Sequence, residues 1–135
     1  MLISLASSGK LWMAVGAIFG LLSILAGAFG AHALRGVLTE NALNTFETAV
    51  RFQMYHALAI LVTGLLTSRL PSNLIGVSGA LFTIGILFFS GSLYALSLSG
   101  IGAFGAVAPV GGISLIGGWT ALIVGIIKRK PSERS

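Results

Sequence analysis

The chain has 135 residues, 56% of them apolar and 19 of them Gly, with 8 Lys and Arg against 3 Asp and Glu. Soluble domains carry roughly 25% charged residues, so a charged share of 8% leaves too little polar surface to coat a globule. The composition excludes a water-soluble fold, and the absence of Cys excludes disulfides, thiolate metal sites and Cys nucleophiles.

In a bilayer only helices and closed barrels satisfy their own backbone groups. Strand-like alternation of polar and apolar residues is missing, so an all-α polytopic membrane protein is expected, folded as one domain over residues 1–135. Charged side chains divide the chain into uncharged runs at residues 11–34, 52–68 and 70–127. A crossing helix needs about 20 residues, which makes the first two runs single spans and the third a pair. The third run reverses where Ser97, Ser99, Gly100, Gly102 and Gly105 cluster. Four spans are expected, at about residues 11–33, 49–68, 74–97 and 105–127.

The first span follows Lys10 and ends near a small-x-small triplet, Ala31, His32 and Ala33, as a secretory signal does. Its apolar core is longer than a cleaved signal requires, so it is expected to stay as an anchor. Between the first two spans, Thr39 can cap a helix starting at Glu40. Leu43, Phe46, Val50 and Met54 then recur at helical spacing, with Glu40, Asn44, Glu47 and Arg51 on another face. This pattern predicts a short outer amphipathic helix at about residues 39–50, which either stands apart or continues into the second span.

Small residues form rows. Gly16, Gly20, Ser23, Gly27 and Gly30 or Ala31 mark the first span, and Gly76, Thr83, Ser90 and Ser97 the third. Gly111, Gly118 and Gly125 mark the fourth, overlapped by Gly117, Ala121 and Gly125. Such rows let backbones approach closely, which predicts packing within a four-helix bundle, with a second copy or another membrane protein as the alternative partner. Pro109, beside Gly111 and Gly112, predicts a late-starting or kinked fourth helix.

Lys10, Arg69, Lys128, Arg129, Lys130 and Arg134 fall on the side of the termini, whereas only Arg35 and Arg51 fall opposite. The positive-inside rule then predicts that both termini are cytoplasmic. The same placement, at span ends and without interleaved aromatics, argues against nucleic-acid binding and leaves the lipid bilayer as the expected surroundings.

The three acids are Glu40, Glu47 and Glu133, so no carboxylate lies deep in a span. Proton-coupled exporters of the small multidrug type depend on such a group. Gly27, Gly30, Ala31 and Arg35 resemble the signature of fluoride channels, but Ala26 replaces its first Gly and Arg35 falls one position late. His32, Glu47, Arg51, His56 and Tyr94 are expected in the outer half of the bundle and form a candidate polar cluster, with Gln53 and Tyr55 at similar depth. His56 is expected to hydrogen-bond a Ser, a backbone carbonyl or Tyr94 rather than a metal. No catalytic, cofactor or metal site is expected, and the chain reads as non-enzymatic.

AGAFGAHAL at residues 26–34, TFETAVRFQMYHALAIL at 45–61, FSGSLY at 89–94 and APVGGISLIGGW at 108–119 resemble the domain of unknown function 423 family, also called uncharacterised protein family 0382. The resemblance implies a small bacterial inner-membrane protein, and it assigns no role to any residue. Two functions remain open on this reading: a bundle acting through lipid or protein contacts, and a permeation protein for a small ion or solute.

Overall fold

The computed structural model describes residues 2–70 and 72–128, with side chains described from Ser8 onward. Its elements are α1 (Leu2–His32), α2 (Glu40–Thr67), α3 (Asn73–Gly85), a π-helical turn (Ile86–Ser90), α4 (Gly91–Ser99) and α5 (Ala103–Ile127). Four helical stretches are long and apolar enough to cross a membrane: Ser8–His32, Glu40–Thr67, Asn73–Ser99 and Ala103–Ile127. Arg129, Lys130, Glu133 and Arg134, on which part of the charge argument rests, lie outside the described residues.

The separate amphipathic helix does not exist. Thr39 caps α2 by accepting the Ala42 N–H at 3.2 Å, and the helix then runs unbroken to Thr67. The physical reason is the absence of any Gly or Pro from residue 38 to 63, which leaves nothing to end the backbone ladder at residue 50. The fourth helix also starts early: it begins at Ala103 and carries Pro109 inside it. The preceding reversal is made by Gly100, whose φ of +71° suits a residue without Cβ.

α1 packs chiefly on α2, α5 packs chiefly on the third span, and α2 and the third span meet between them. Gly16 lies against the Ala57 carbonyl and Leu61, Ser23 donates to the Val50 carbonyl, and Gly30 lies under the Phe46 ring. These contacts set one antiparallel register. Gly20 faces open space and takes no part in it. On the other side Gly111 backs onto Phe88 and Phe89, Gly118 onto Phe82, and Gly125 onto Leu74 and Ile75, so the seven-residue row of α5 is the face on which the third span lies. Lipid gives apolar helices no hydrophobic reason to associate, and this close approach supplies the van der Waals contact instead.

The row Gly76, Thr83, Ser90, Ser97 is not a single face. Ser90 and Ser97 are buried, whereas Gly76 and Thr83 are only half-buried, and the buried small residues before the turn are Ser78, Gly79 and Gly85. The cause is the π-helical turn, in which the Gly91 N–H reaches back to the Ile86 carbonyl. An extra residue in one turn rotates everything after it around the helix axis.

The centre of the bundle is filled by Ala59 and Ile60 of α2, Phe82 and Ile86 of the third span, and Leu115 and Leu122 of α5. Trp12 crosses from α1 to the space beside Gly79, closing that end.

Candidate functional site

Among the described residues, most of the hydrogen bonds between helices converge on α2; Ser114 of α5, which donates to the Leu81 carbonyl of the third span at 2.8 Å, is the exception. On α2 the buried positions Ala49, Gln53, His56, Ala57, Ile60, Thr63, Gly64 and Thr67 recur every three or four residues, so one stripe faces the other helices. At its upper end two hydroxyls grip consecutive carbonyls from opposite neighbours. Ser23 of α1 donates to Val50 at 2.9 Å, and Ser90 of the third span donates to Ala49 at 2.8 Å. Ser90 reaches that carbonyl from the last position of the π-helical turn.

One turn along, the Gln53 amide bridges both neighbours. Its nitrogen donates to the Phe19 carbonyl of α1 at 2.9 Å, and its oxygen accepts the Tyr94 hydroxyl of α4 at 2.6 Å. The Tyr94 ring stands edge-on to Phe46 with centroids 5.0 Å apart, a favourable quadrupole geometry. A further turn along, the Trp119 indole Nε1–H of α5 points at His56 Nε2 at 3.1 Å. An indole nitrogen can only donate, so Nε2 must accept, and the ring proton sits on Nδ1, which donates to the Phe52 carbonyl at 2.7 Å. The neutral imidazole is thereby used on both nitrogens. Phe52 stacks on it at 6.0 Å, and Phe82 and Trp119 enclose its other sides.

The five residues of the candidate cluster do not form one site. His32 is exposed at the end of α1. Glu47 and Arg51 face outward as an ion pair at 3.7 Å, with side chains 41% and 64% exposed. Tyr94 belongs to Gln53, and His56 to Trp119 and a carbonyl of its own helix. Among the described residues no three His, Asp or Glu side chains are placed to hold a metal. Ser23, Ser90 and Trp119 also belong to the interhelical network; the small-residue rows mark the two serines in the sequence, but only the pairing of the folded helices picks out Trp119.

Clefts lie between α1 and its neighbours. One of about 340 Å³ separates α1 from the third span, with Phe19, Leu22 and Ala26 facing Ile86, Leu87 and Tyr94 and with Gln53 at its floor. On the opposite side of α1, clefts of about 180 and 470 Å³ adjoin the Glu47–Arg51 pair.

Four apolar crossing helices tied by buried hydrogen bonds to a central α2 define a polytopic helical membrane protein. A family model described as "Protein of unknown function (DUF423)" matches residues 26–112. A UPF0382 membrane protein of Staphylococcus haemolyticus is 40% identical over 119 residues, which is 88% of this chain and 97% of the relative. The UPF0382 membrane protein YwdK of Bacillus subtilis is 39% identical over 120 residues, 88% of this chain and 98% of its own. The chain therefore belongs to the DUF423 (UPF0382) family of membrane proteins. No solved structure matches it.

Proposed function

We propose that this is a non-enzymatic protein of the bacterial inner membrane that acts through contacts with lipid or with another membrane protein. The observation that carries the reading is the saturation of its interior. Among the described residues, every buried side-chain nitrogen and oxygen already has a hydrogen-bond partner. A permeation path strips water from a solute and offers it free donors and acceptors in return. Here Gln53, His56, Tyr94, Ser23 and Ser90 are committed to other helices, and Ile60, Phe82, Ile86, Leu115 and Leu122 fill the space between them. The clefts lie at the lipid-facing periphery. The bias of basic residues toward Lys10, Arg69 and the Lys128 end supports cytoplasmic termini.

Flux assays on sealed proteoliposomes test the reading. Protons, alkali cations, halides and a small neutral solute should cross no faster than through protein-free vesicles. A saturable flux that disappears in Gln53→Leu or His56→Gln would overturn it.

A further inference from the structure

Charges on a crossing helix normally face a bundle interior or water, whereas the Glu47–Arg51 pair faces outward. We infer that the cleft beside it holds a phospholipid whose headgroup carries both a phosphate and an amine. This deepens the contact role proposed above and rests on it.

Depth comes first. Thr67 ends α2 two residues before Arg69, which marks one boundary of the hydrocarbon. A core of about 30 Å corresponds to about 20 helical residues, and counting back from Thr67 puts the opposite boundary near Glu47. Arg51 lies one turn deeper, and its guanidinium reaches back to the Glu47 carboxylate at 3.7 Å, as a basic side chain does when it snorkels to an interface. Both charges therefore meet the headgroup zone of the leaflet on the side of the α1–α2 connection, whichever compartment that side faces.

The cleft has the polarity of a lipid. Its upper part, about 180 Å³, is bounded by Gly30, Phe46, Glu47 and Arg51. The lower part, about 470 Å³, is lined by Ile24, Ala28, Met54 and Tyr55. Gly27, Val50 and Arg51 border both, so the two form one groove running from a charged mouth into an apolar channel. A phosphate and an acyl chain fit this gradient.

The order of the charges selects the headgroup. In a glycerophospholipid the phosphate adjoins the glycerol, nearer the acyl chains, and an amine, where present, lies beyond it. Arg51 is rooted one turn deeper and borders both the mouth and the apolar channel, whereas Glu47 borders the mouth alone, so the basic residue is the one nearer the acyl chains. The guanidinium thus meets the phosphate while the carboxylate meets the amine. An anionic headgroup without an amine leaves Glu47 facing negative charge.

The test is native mass spectrometry of the full chain released from nanodiscs made of equal parts phosphatidylethanolamine and phosphatidylglycerol. The wild type should retain phosphatidylethanolamine over phosphatidylglycerol by roughly fivefold, the effect of one favourable charge at a lipid surface. Arg51→Gln should lower retention of both lipids by a similar factor, and Glu47→Gln should keep retention while losing the preference. The double exchange Glu47→Arg with Arg51→Glu keeps net charge and the one-turn pairing but reverses the order, so the preference should vanish; circular dichroism confirms that each variant is folded. Equal retention of the two lipids by the wild type, or a preference untouched by the exchange, overturns the site. So does an Ala28→Cys variant that cross-links two copies across this face with no lipid retained. Vesicles that stay tight while lipid selectivity fails refute this site alone, whereas solute flux refutes the contact role itself.

Discussion

Replacing Gly111 by Ala probes the α5 interface at its tightest point. A Cβ there would meet the Phe89 backbone nitrogen directly and stand 2.7 Å from the Phe88 carbonyl carbon and from Phe89 Cα. These atoms belong to the backbone of the π-helical turn, so no rotamer change relieves them. Carbon atoms rest about 3.5–4.0 Å apart, and α5 must therefore retreat by about 1 Å, which forfeits a quarter to a half of each pairwise attraction along the contact. Overpacking of this kind costs roughly 1–3 kcal/mol, opposed by about 1 kcal/mol of helix propensity gained by Ala over Gly. The neighbouring Gly112 is the internal control, because its Cβ would find nothing closer than Phe89 Cδ2 at 3.8 Å. Both substitutions gain the same propensity, so the difference between them isolates the packing cost. Reversible unfolding in mixed micelles should show Gly111→Ala less stable than Gly112→Ala by roughly 1–3 kcal/mol. Equal stabilities would refute the packing of α5 on the π-helical turn.

The Gln53–Tyr94 contact should be worth about 0.6 kcal/mol in a double-mutant cycle of Gln53→Leu and Tyr94→Phe, up to roughly 1.7, the range found for hydrogen bonds between membrane helices; strict additivity would show that the 2.6 Å contact contributes nothing. His56→Leu should lower the unfolding temperature in detergent more than His56→Gln, because Leu leaves the Trp119 indole N–H without an acceptor. If the two variants melt together, that bond is not structural. Reporters active only in the cytoplasm should be active at both termini and silent when inserted at Gly36 or Gly102; activity at either loop would reverse the orientation.

The four crossings were legible in the sequence because length and apolarity alone determine them, and the α5 interface was legible because an uninterrupted helix preserves a seven-residue row of Gly. The π-helical turn hid the third interface. It shifts phase between Thr83 and Ser90, and no residue type in Ile86–Ser90 announces it. The charges of Glu40, Glu47 and Arg51 leave open whether residues 39–50 stand apart or continue into the second span, but backbone continuity is decided by breakers, and with none from residue 38 to 63 the helix runs on. Depth along each span groups the residues of the candidate cluster but says nothing about azimuth. Glu47 and Arg51 lie on an outer face of α2 while Gln53 and His56 lie on its inner face, so residues at neighbouring depths divide between lipid and bundle. The pairing of His56 with Trp119 bridges 63 positions and depends on the register between helices, which one sequence does not reveal.

The central claim is that the polar interior holds helices together and carries no water or solute, and His56 tests it most directly. In uniformly nitrogen-15-labelled protein in nanodiscs, its imidazole should give the shifts of a neutral ring protonated on Nδ1, with that proton exchanging slowly against deuterated water. His32, exposed at the end of α1, provides the freely exchanging comparison in the same spectrum. A His56 ring protonated on Nε2 would break the Trp119 bond, and one whose proton exchanges as fast as that of His32 would place water beside it; either contradicts the account.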